Sequence, residues 1–426
     1  MREPTQHLVV IGQGYVGLPL AMRAVDVGHR VTGLDLDQTR IEALAAGKSF
    51  VEDVPDTTVQ RALDSGRYVP TITYEAAQDF DVAVITVPTP LRETLPDLSF
   101  IESAARSLGP YVTRGSCIVL ESTTYPGTTE ELLVPILEEG SGLSAGADFY
   151  VGYSPERIDP GNPTWNFVNT PKVVSGIDSR SRDVVQDFYD TLVDRTVVVS
   201  TPKEAELTKL LENTFRHVNI ALVNELAVFS HQLGVNVWEA IDAAATKPFG
   251  YMKFTPGPGV GGHCLPVDPS YLSWQVRKTL GQSFRFVELA NDVNEHMPAY
   301  VVQRALEALN AQRKALNGAR VIVLGIAYKK NSSDYRESPS LRLIELLSDY
   351  GADVSAVDPH VDERQWPAQL RRATGGIDEL RASDLVILVT DHDEFDYAAI
   401  DSSASNETLT VLDTRNRLTS NFVVRL

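Results

Sequence analysis

A chain of 426 residues exceeds what one hydrophobic core usually supports, so two or three domains are expected. Apolar residues make up 43% and charged residues 22%, an ordinary globular balance, and no apolar run approaches the roughly 18 residues of a membrane span. Thirty-eight basic against fifty-seven acidic side chains leave a net charge of −19, which argues against nucleic acid or an anionic membrane as the main partner and obliges any anionic ligand to find local positive charge or backbone amides.

The chain opens on "MREPTQHLVVIG", which enters a strand pattern at once and leaves no room for a signal peptide. Two cysteines make no disulfide framework, so a reducing, cytoplasmic setting is expected. A short apolar run from His7 to Ile11 meets the glycine-rich "GQGYVG"; a helical pattern follows to Val27, and a second strand ends at Asp35, which completes a βαβ unit. Further apolar runs at 81–90, 116–123, 149–156, 171–177 and 196–201, most of them separated by helical stretches, predict a doubly wound parallel sheet that closes near Pro202. From Lys203 to about Leu233 apolar residues recur at helical spacing with no Gly or Pro inside, which predicts a helix far longer than the usual 11 to 12 residues, of the sort that links domains or forms a dimer seam. More helix is expected at 237–245 and 284–309, on either side of an irregular loop, "GPGVGGHCLPVDP", at 257–269. At Arg320 the strand pattern returns, with a helix near 338–350 and a strand ending in Asp358 much as the first unit ended in Asp35. Gly325 stands alone where Gly12, Gly14 and Gly17 stood, so a second dinucleotide site is not expected.

"GQGYVG" follows a strand and opens a helix. Gly12 allows the tight turn, Gly14 lets the backbone approach a pyrophosphate, and Gly17 lets helix and strand pack closely, with Tyr15 and Val16 between them. The helix N-terminus offers free amides to phosphates. Asp35 is placed to hydrogen-bond the adenosine ribose and to repel a 2′-phosphate, so NAD is the expected cofactor. Three further segments lie at carboxyl ends of strands, where open αβ sheets bind ligands: "VPTP" with Pro88 and Thr89, "ESTTYPGTT" with Thr123, and "YSPERIDPG" with Glu156 and Arg157. Glu156 is a candidate general base, and Thr123 a candidate to hold a water or a substrate hydroxyl. Lys209 and Asn213, four apart, share one face of the long helix, where a cation and an amide donor can stabilise an oxyanion. Cys117, in the apolar "SCIVLES", reads as a buried inert thiol. Cys264 lies in the loop, where glycines at 257, 259, 261 and 262 leave room for a substrate carbon, prolines 258, 266 and 269 restrict the chain, and Asp268 is close in sequence. Adjacent His263 and Cys264 without a second cysteine pair have poor spacing for zinc, and no metal is expected.

Taken together, "GQGYVGLPLA", "VPTP", "ESTTYPGT", "SPERIDPG", "ELTKLLENTFRHVNIALVNE", "GPGVGGHCLPVDPSYL" and "GIAYKKNSSDYRESPS" resemble, in order, the UDP-glucose/GDP-mannose dehydrogenase family. The resemblance implies an N-terminal Rossmann NAD-binding domain (1–202), a central helical dimerisation region carrying the 257–269 segment (203–312), and a C-terminal Rossmann-like nucleotide-sugar domain (313–426). It also implies a homodimer or higher oligomer and a four-electron oxidation of a hexose C6 hydroxyl to the uronic acid, with Cys264 as the nucleophile that carries a thiohemiacetal and then a thioester. Lys209 and Asn213 would steady the oxyanions, and Asp268, Thr123 and Glu156 would organise proton transfer and the hydrolytic water. Arg157, Tyr251, Gly261, Lys329 and Arg336 would belong to the substrate site, the last two as basic contacts to diphosphate and sugar. Pro160 stands where the commoner UDP-glucose enzymes carry a second glutamate, which points toward the branch acting on UDP-N-acetylhexosamines; UDP-glucose and dTDP-glucose stay open, and Lys253 departs from that branch. The rival readings are a two-electron β-hydroxyacid dehydrogenase, which needs neither Cys264 nor a second αβ domain, and a silent NAD or nucleotide-sugar sensor.

Overall fold

The computed structural model describes residues 6–92, 95–159, 162, 164–262, 264–405 and 409–426, without the side chains of Cys264 and Pro266. His263 and Pro160, singled out above, lie outside the described residues. Residue contacts divide the chain into two compact units, Met1–Glu212 with Ser270–Leu280, and Asn213–Pro269 with Gly281–Leu426.

The first unit is a doubly wound αβ domain. In chain order it contains β1 (His7–Ile11), α1 (Gly17–Asp26), β2 (Arg30–Leu34), α2 (Gln38–Ala45), α3 (Asp56–Asp64), β3 (Tyr68–Thr71) and β4 (Val82–Ile85). A small hairpin, β5 (Leu91–Arg92) and β6 (Leu95–Pro96), precedes α4 (Ser99–Leu108), β7 (Cys117–Leu120), α5 (Val134–Ser141), β8 (Tyr150–Tyr153), β9 (Lys172–Gly176), α6 (Ser179–Tyr189) and β10 (Thr196–Val198). The eight-stranded sheet has the order β10-β9-β8-β7-β4-β1-β2-β3. Its central strands, "HLVVI", "VAVI" and "CIVL", are runs of β-branched and aliphatic residues buried on both faces, as helices on both sides require. Cys117 is buried in β7, and burial pushes its thiol up to about 12, which makes it inert.

Two details differ from the sequence reading. The sheet is not parallel throughout: β9 runs antiparallel to β8. Parallel neighbours need a crossover, usually a helix, and no described residue between β8 and β9 is helical, so the next strand simply returns. The edge strand β3, "YVPT", escaped notice because Pro70 disguises it; an edge position tolerates the missing N–H.

The second unit begins within α7 (Pro202–Gln232), whose residues from Asn213 onward belong to it. Val223 and Ala227 of α7 pack with Val237, Trp238 and Ile241 of α8 (Val237–Ala245). The segment expected to be an irregular loop to residue 269 becomes helical at Cys264, the first residue of α9 (Cys264–Leu280). Proline is tolerated in a first helical turn, where its missing N–H has no partner to lose, which accounts for Pro266; Pro269 stands inside the helix, and together they concealed its start in "CLPVDP". After α10 (Arg285–Ala311) comes a second αβ sheet, of order β13-β12-β11-β14-β15-β16 and parallel throughout. It is built from β11 (Arg320–Leu324), α11 (Pro339–Asp349), β12 (Asp353–Val357), β13 (Arg371–Arg372), α12 (Ile377–Ala382), β14 (Leu385–Leu388), α13 (Tyr397–Ser405), β15 (Val411–Asp413) and β16 (Val424–Arg425). Met297, Val301 and Leu309 of α10 share a core with β11 and with Leu343 and Leu347 of α11. Among the described residues, no helix is long and apolar enough to cross a membrane.

Candidate functional site

The turn after β1 is shaped for a dinucleotide. Gly12 has φ +96°, and a Cβ there would stand 2.7 Å from the Thr86 carbonyl; a Cβ on Gly17 would stand 1.8 Å from the Gly12 carbonyl. Gly14 meets nothing within 4 Å, so its backbone faces open space where a pyrophosphate would lie. Val16 caps α1 without a side-chain hydrogen bond, which leaves the first-turn amides for a ligand, and Tyr15 beside it is exposed. Asp35 is buried at the end of β2; its Oδ2 accepts from Gln13 N at 2.9 Å and its Oδ1 from Asp37 N at 2.9 Å, with Arg40 Nη1 3.5 Å away. These residues fit NAD: the second glycine leaves the approach clear and the carboxylate is fixed at the ribose position. Pro88 and Thr89 follow β4, and the Thr89 carbonyl accepts from Tyr271 Oη at 2.8 Å.

The carboxyl ends of β7 and β8, with the start of β9, carry a buried charge cluster. Lys172 Nζ lies 2.7 Å from Glu121 Oε1 and 3.5 Å from Glu156 Oε2, with all three side chains shielded from solvent. Tyr189 Oη donates to Glu121 Oε1 at 2.5 Å, while Glu121 Oε2 has no partner among the described residues. Burial alone would depress the Lys172 ammonium, but Glu121 and Glu156 outweigh it and raise its pKa, so the lysine stays charged. Burial raises Glu121, with Lys172 opposing it. Glu156 Oε1 accepts from the amides of Arg157 (2.6 Å) and Ile158 (2.5 Å), and the Glu156 carbonyl accepts from Lys209 Nζ at 2.6 Å. Thr123 is half-buried just past β7. The structure therefore brings Glu156 and Lys209 together, through the backbone of one and the side chain of the other. Arg157 is already engaged, donating to the Pro171 carbonyl and to Glu212, both at 2.6 Å.

In the second unit Asn213 Nδ2 donates to Asp268 Oδ2 at 2.5 Å, both residues buried. Cys264 opens the helix in which Asp268 is the fifth residue; its side chain lies outside the described residues. Two of the glycines before it lie close to a neighbouring segment of the same unit. A Cβ on Gly261 would stand 2.8 Å from both the Glu337 carbonyl and Tyr328 Cβ, and one on Gly262, at φ +83°, would stand 2.8 Å from the Tyr328 ring. Their lack of side chains lets Tyr328 and the segment before α11 close on the loop. Gly257 N donates to Asn224 Oδ1 at 2.9 Å. Tyr251 is 39% exposed and Lys329 half-buried. Arg336 holds Asp334 in a fork, Nε to Oδ1 at 2.8 Å and Nη2 to Oδ2 at 2.7 Å.

Sequence reasoning missed Glu121, Lys172, Tyr189 and Glu206. The last is buried on α7 and accepts from Gly127 N (2.6 Å), Thr129 N (2.9 Å) and Thr129 Oγ1 (2.7 Å); burial pushes its carboxyl up to about 7. The available signal was an acid or a lysine set directly against an apolar run, in "VLES" and "PKVV", where a charge costs most unless it is paired.

The chain matches three models of one family: the NAD binding domain of the UDP-glucose/GDP-mannose dehydrogenase family over residues 6–193, its central domain over 203–296 and its UDP binding domain over 322–420. It is 36% identical over 390 residues to the UDP-N-acetyl-D-mannosamine dehydrogenase of Pyrococcus horikoshii, covering 91% of this chain and 90% of that one. It is 36% identical over 392 residues to the UDP-N-acetyl-D-glucosamine 6-dehydrogenase of Pseudomonas aeruginosa, covering 91% of each. Among solved structures, the UDP-D-ManNAc dehydrogenase from Pyrococcus horikoshii matches with TM-score 0.87 and 32% identity over 98% of both chains. A UDP-glucose dehydrogenase from Pyrobaculum islandicum matches with TM-score 0.86 and 29% identity, covering 100% of this chain and 98% of that one. The chain thus belongs to the UDP-glucose/GDP-mannose dehydrogenase family and is an NAD-dependent nucleotide-sugar dehydrogenase.

Proposed function

We propose that the chain oxidises C6 of a UDP-N-acetylhexosamine to the uronic acid, a four-electron reaction carried through a thioester on Cys264. The observation that carries this reading is the buried Asn213–Asp268 hydrogen bond in the segment that Cys264 opens as a helix, together with a buried Lys209 one helical turn before Asn213. NAD, which the turn at Gly12, Gly14 and Gly17 and the Asp35 carboxylate would hold, would supply the hydride acceptor for C6. Asp268, Thr123 and Glu156 would organise the transfer of the hydroxyl proton, with a carboxylate as its acceptor, as the alcohol becomes an aldehyde. The Cys264 thiol then adds across the carbonyl: the S–C bond forms and the thiol proton passes to oxygen. A second NAD would be the acceptor for the hydride that leaves C6 of this thiohemiacetal, and its hydroxyl proton would pass to the same acid–base groups, which leaves a thioester. Water attacks the thioester carbon, the S–C bond breaks, and the sulfur recovers a proton as the carboxylic acid departs. Lys209 is held by the Glu156 carbonyl and Asn213 by Asp268, so each donor is fixed before an oxyanion develops, which is what makes such donors effective. Arg157, Tyr251, Gly261, Lys329 and Arg336 are assigned to substrate binding, with the two basic residues near the diphosphate.

The acetylated sugar is favoured because the relatives from Pyrococcus and Pseudomonas carry such substrates in their names and because Pro160 replaces a second glutamate. Initial rates with UDP-N-acetylmannosamine, UDP-N-acetylglucosamine, UDP-glucose and dTDP-glucose test this: kcat/KM at least about tenfold higher for an acetylated sugar is expected. Equal or higher values for glucose would reassign the substrate. Cys264→Ser is expected to abolish acid production while leaving NAD affinity unchanged, and unchanged turnover would remove the thioester. The domain limits are assigned as 1–202, 203–312 and 313–426, and a catalytic thiol that has to stay reduced supports a cytoplasmic setting. A homodimer is supported by an apolar stripe on α7, where Leu211, Phe215, Leu222, Leu226 and Phe229 are each more than 40% exposed.

A further inference from the structure

The second unit repeats the first at its βα turn. Gly12 N donates to the Leu34 carbonyl and Gly325 N to the Val357 carbonyl, both at 2.7 Å. The next amide in each turn donates to a carboxylate Oδ2: Gln13 N to Asp35 at 2.9 Å, Ile326 N to Asp358 at 2.8 Å. Asp37 N and His360 N donate to Oδ1 of the same carboxylates, both at 2.9 Å. Both glycines have positive φ, +96° and +87°, and a Cβ on either would strike a threonine carbonyl, Thr86 at 2.7 Å or Thr390 at 2.6 Å. The strand registers agree: Ile11 pairs Leu34 and Ile85, and Leu324 pairs Val357 and Leu388. In position, β11, β12 and β14 stand for β1, β2 and β4.

The phosphate half of the repeat is gone. Ala327 and Lys330 take the places of Gly14 and Gly17, and the next helix starts only at Pro339. Asp358 has also lost the function of Asp35. Besides the two shared amides it accepts from Ala327 N (2.9 Å), His392 Nε2 (3.0 Å) and Val361 N (3.3 Å), so no lone pair is left for a ribose. His392 Nδ1 accepts from Asn331 N at 3.0 Å, so the nearby cluster of His360, His392 and Glu394 has no free His392 nitrogen for a metal.

The crevice beside the missing clasp is retained. A cavity of about 490 Å³ lies at the carboxyl ends of β11, β12 and β13, a volume typical of small-molecule sites. Leu324, Val357, Leu380 and Ile400 give it apolar walls, and Arg372, stacked on Trp366 at 4.7 Å, is its cation. Glu394 and Asp396 also line the cavity and oppose that positive charge, so added phosphates gain nothing there. Lys329, Arg336 and Gly261, assigned above to the nucleotide sugar, do not line it.

We infer that this crevice binds a purine nucleobase or nucleoside, a flat apolar-faced ring of the kind that the adenosine end of NAD presents to the first unit, taken here without diphosphate. The test is saturation-transfer NMR of adenosine with the full-length enzyme, with NAD and UDP present at saturating concentrations. Saturable adenosine binding is expected to persist and to be no weaker than that of AMP. Gly376→Trp and Ala399→Trp, two substitutions that project into the cavity, are each expected to weaken it about tenfold while NADH formation stays within about twofold of the parent. A Cβ at Gly376 meets nothing closer than 3.6 Å, so this variant can be accommodated, and near-ultraviolet circular dichroism checks that both fold. Loss of the adenosine signal on adding NAD alone would place the ligand in the cofactor site and overturn the inference. Undiminished binding in both variants, or AMP binding more tightly than adenosine, would overturn it equally.

Discussion

Lys172 is a charge that the fold can keep only because two carboxylates flank it. Removing one partner from a buried ionic cluster leaves the others uncompensated and costs about 3–5 kcal/mol. Lys172→Met is therefore expected to lower the unfolding free energy by about that amount in urea titrations and to reduce turnover at least about tenfold, because the Glu156 backbone that fixes Lys209 loses its support. Lys172→Arg keeps the charge and is expected to restore most of the stability. A surface-like loss below about 1 kcal/mol in Lys172→Met would contradict the cluster's role. Glu206 gives a pH signature. Its carboxyl binds a proton more tightly in the folded state, about 7 against 4.5, so its stabilising contribution is complete below pH 4.5 and is lost as pH rises through about 7. Stability is expected to fall by roughly 3 kcal/mol across that window from this group, and Glu206→Gln is expected to flatten the profile. At this scale the sequence was legible where spacing carries meaning. Lys209 and Asn213 could be paired because four residues make one helical turn, and the glycines of the dinucleotide turn because their spacing is the turn. Lys172, Glu121 and Tyr189 come from three separate elements, and only the sheet order brings them together.

The long helix α7 was visible in the sequence because 31 residues contain no glycine and no proline after the first position, and its length followed from that absence. Its exposed stripe was less visible, since apolar residues at helical spacing point to burial without saying against what. Leu222→Glu combined with Leu226→Glu is expected to shift the protein from dimer to monomer in light scattering, with the αβ units still folded by far-ultraviolet circular dichroism. A dimer that persists in this variant would remove the stripe as the seam. The start of α9 was hidden for the opposite reason. Pro266 and Pro269 read as loop, although a first turn accepts the former and the helix carries the latter inside it, and Gly261 and Gly262 ahead of them allow the close approach of Tyr328. The turn of β9 against the direction of the sheet was hidden too, because a strand's direction depends on its connection and the apolar run alone does not encode it.

Across the whole molecule, a net charge of −19 and an anionic substrate are reconciled locally. Backbone amides after Gly14 are the groups proposed for the cofactor phosphates, and Lys329 and Arg336, proposed for the diphosphate, lie on the turn of the second sheet. Each αβ unit was legible in outline from its strand, turn and acid, and the second unit's retained crevice was not, because a cavity is a property of packed side chains that no motif records. The central claim is that one chain performs two oxidations on one carbon without releasing the aldehyde. The direct measurement is the count of NADH formed per nucleotide sugar consumed to completion, with the product identified by mass. Two NADH per uronic acid, with no free aldehyde trapped by hydroxylamine during turnover, is the predicted result. One NADH per sugar, or an aldehyde that accumulates in the trap, would contradict it.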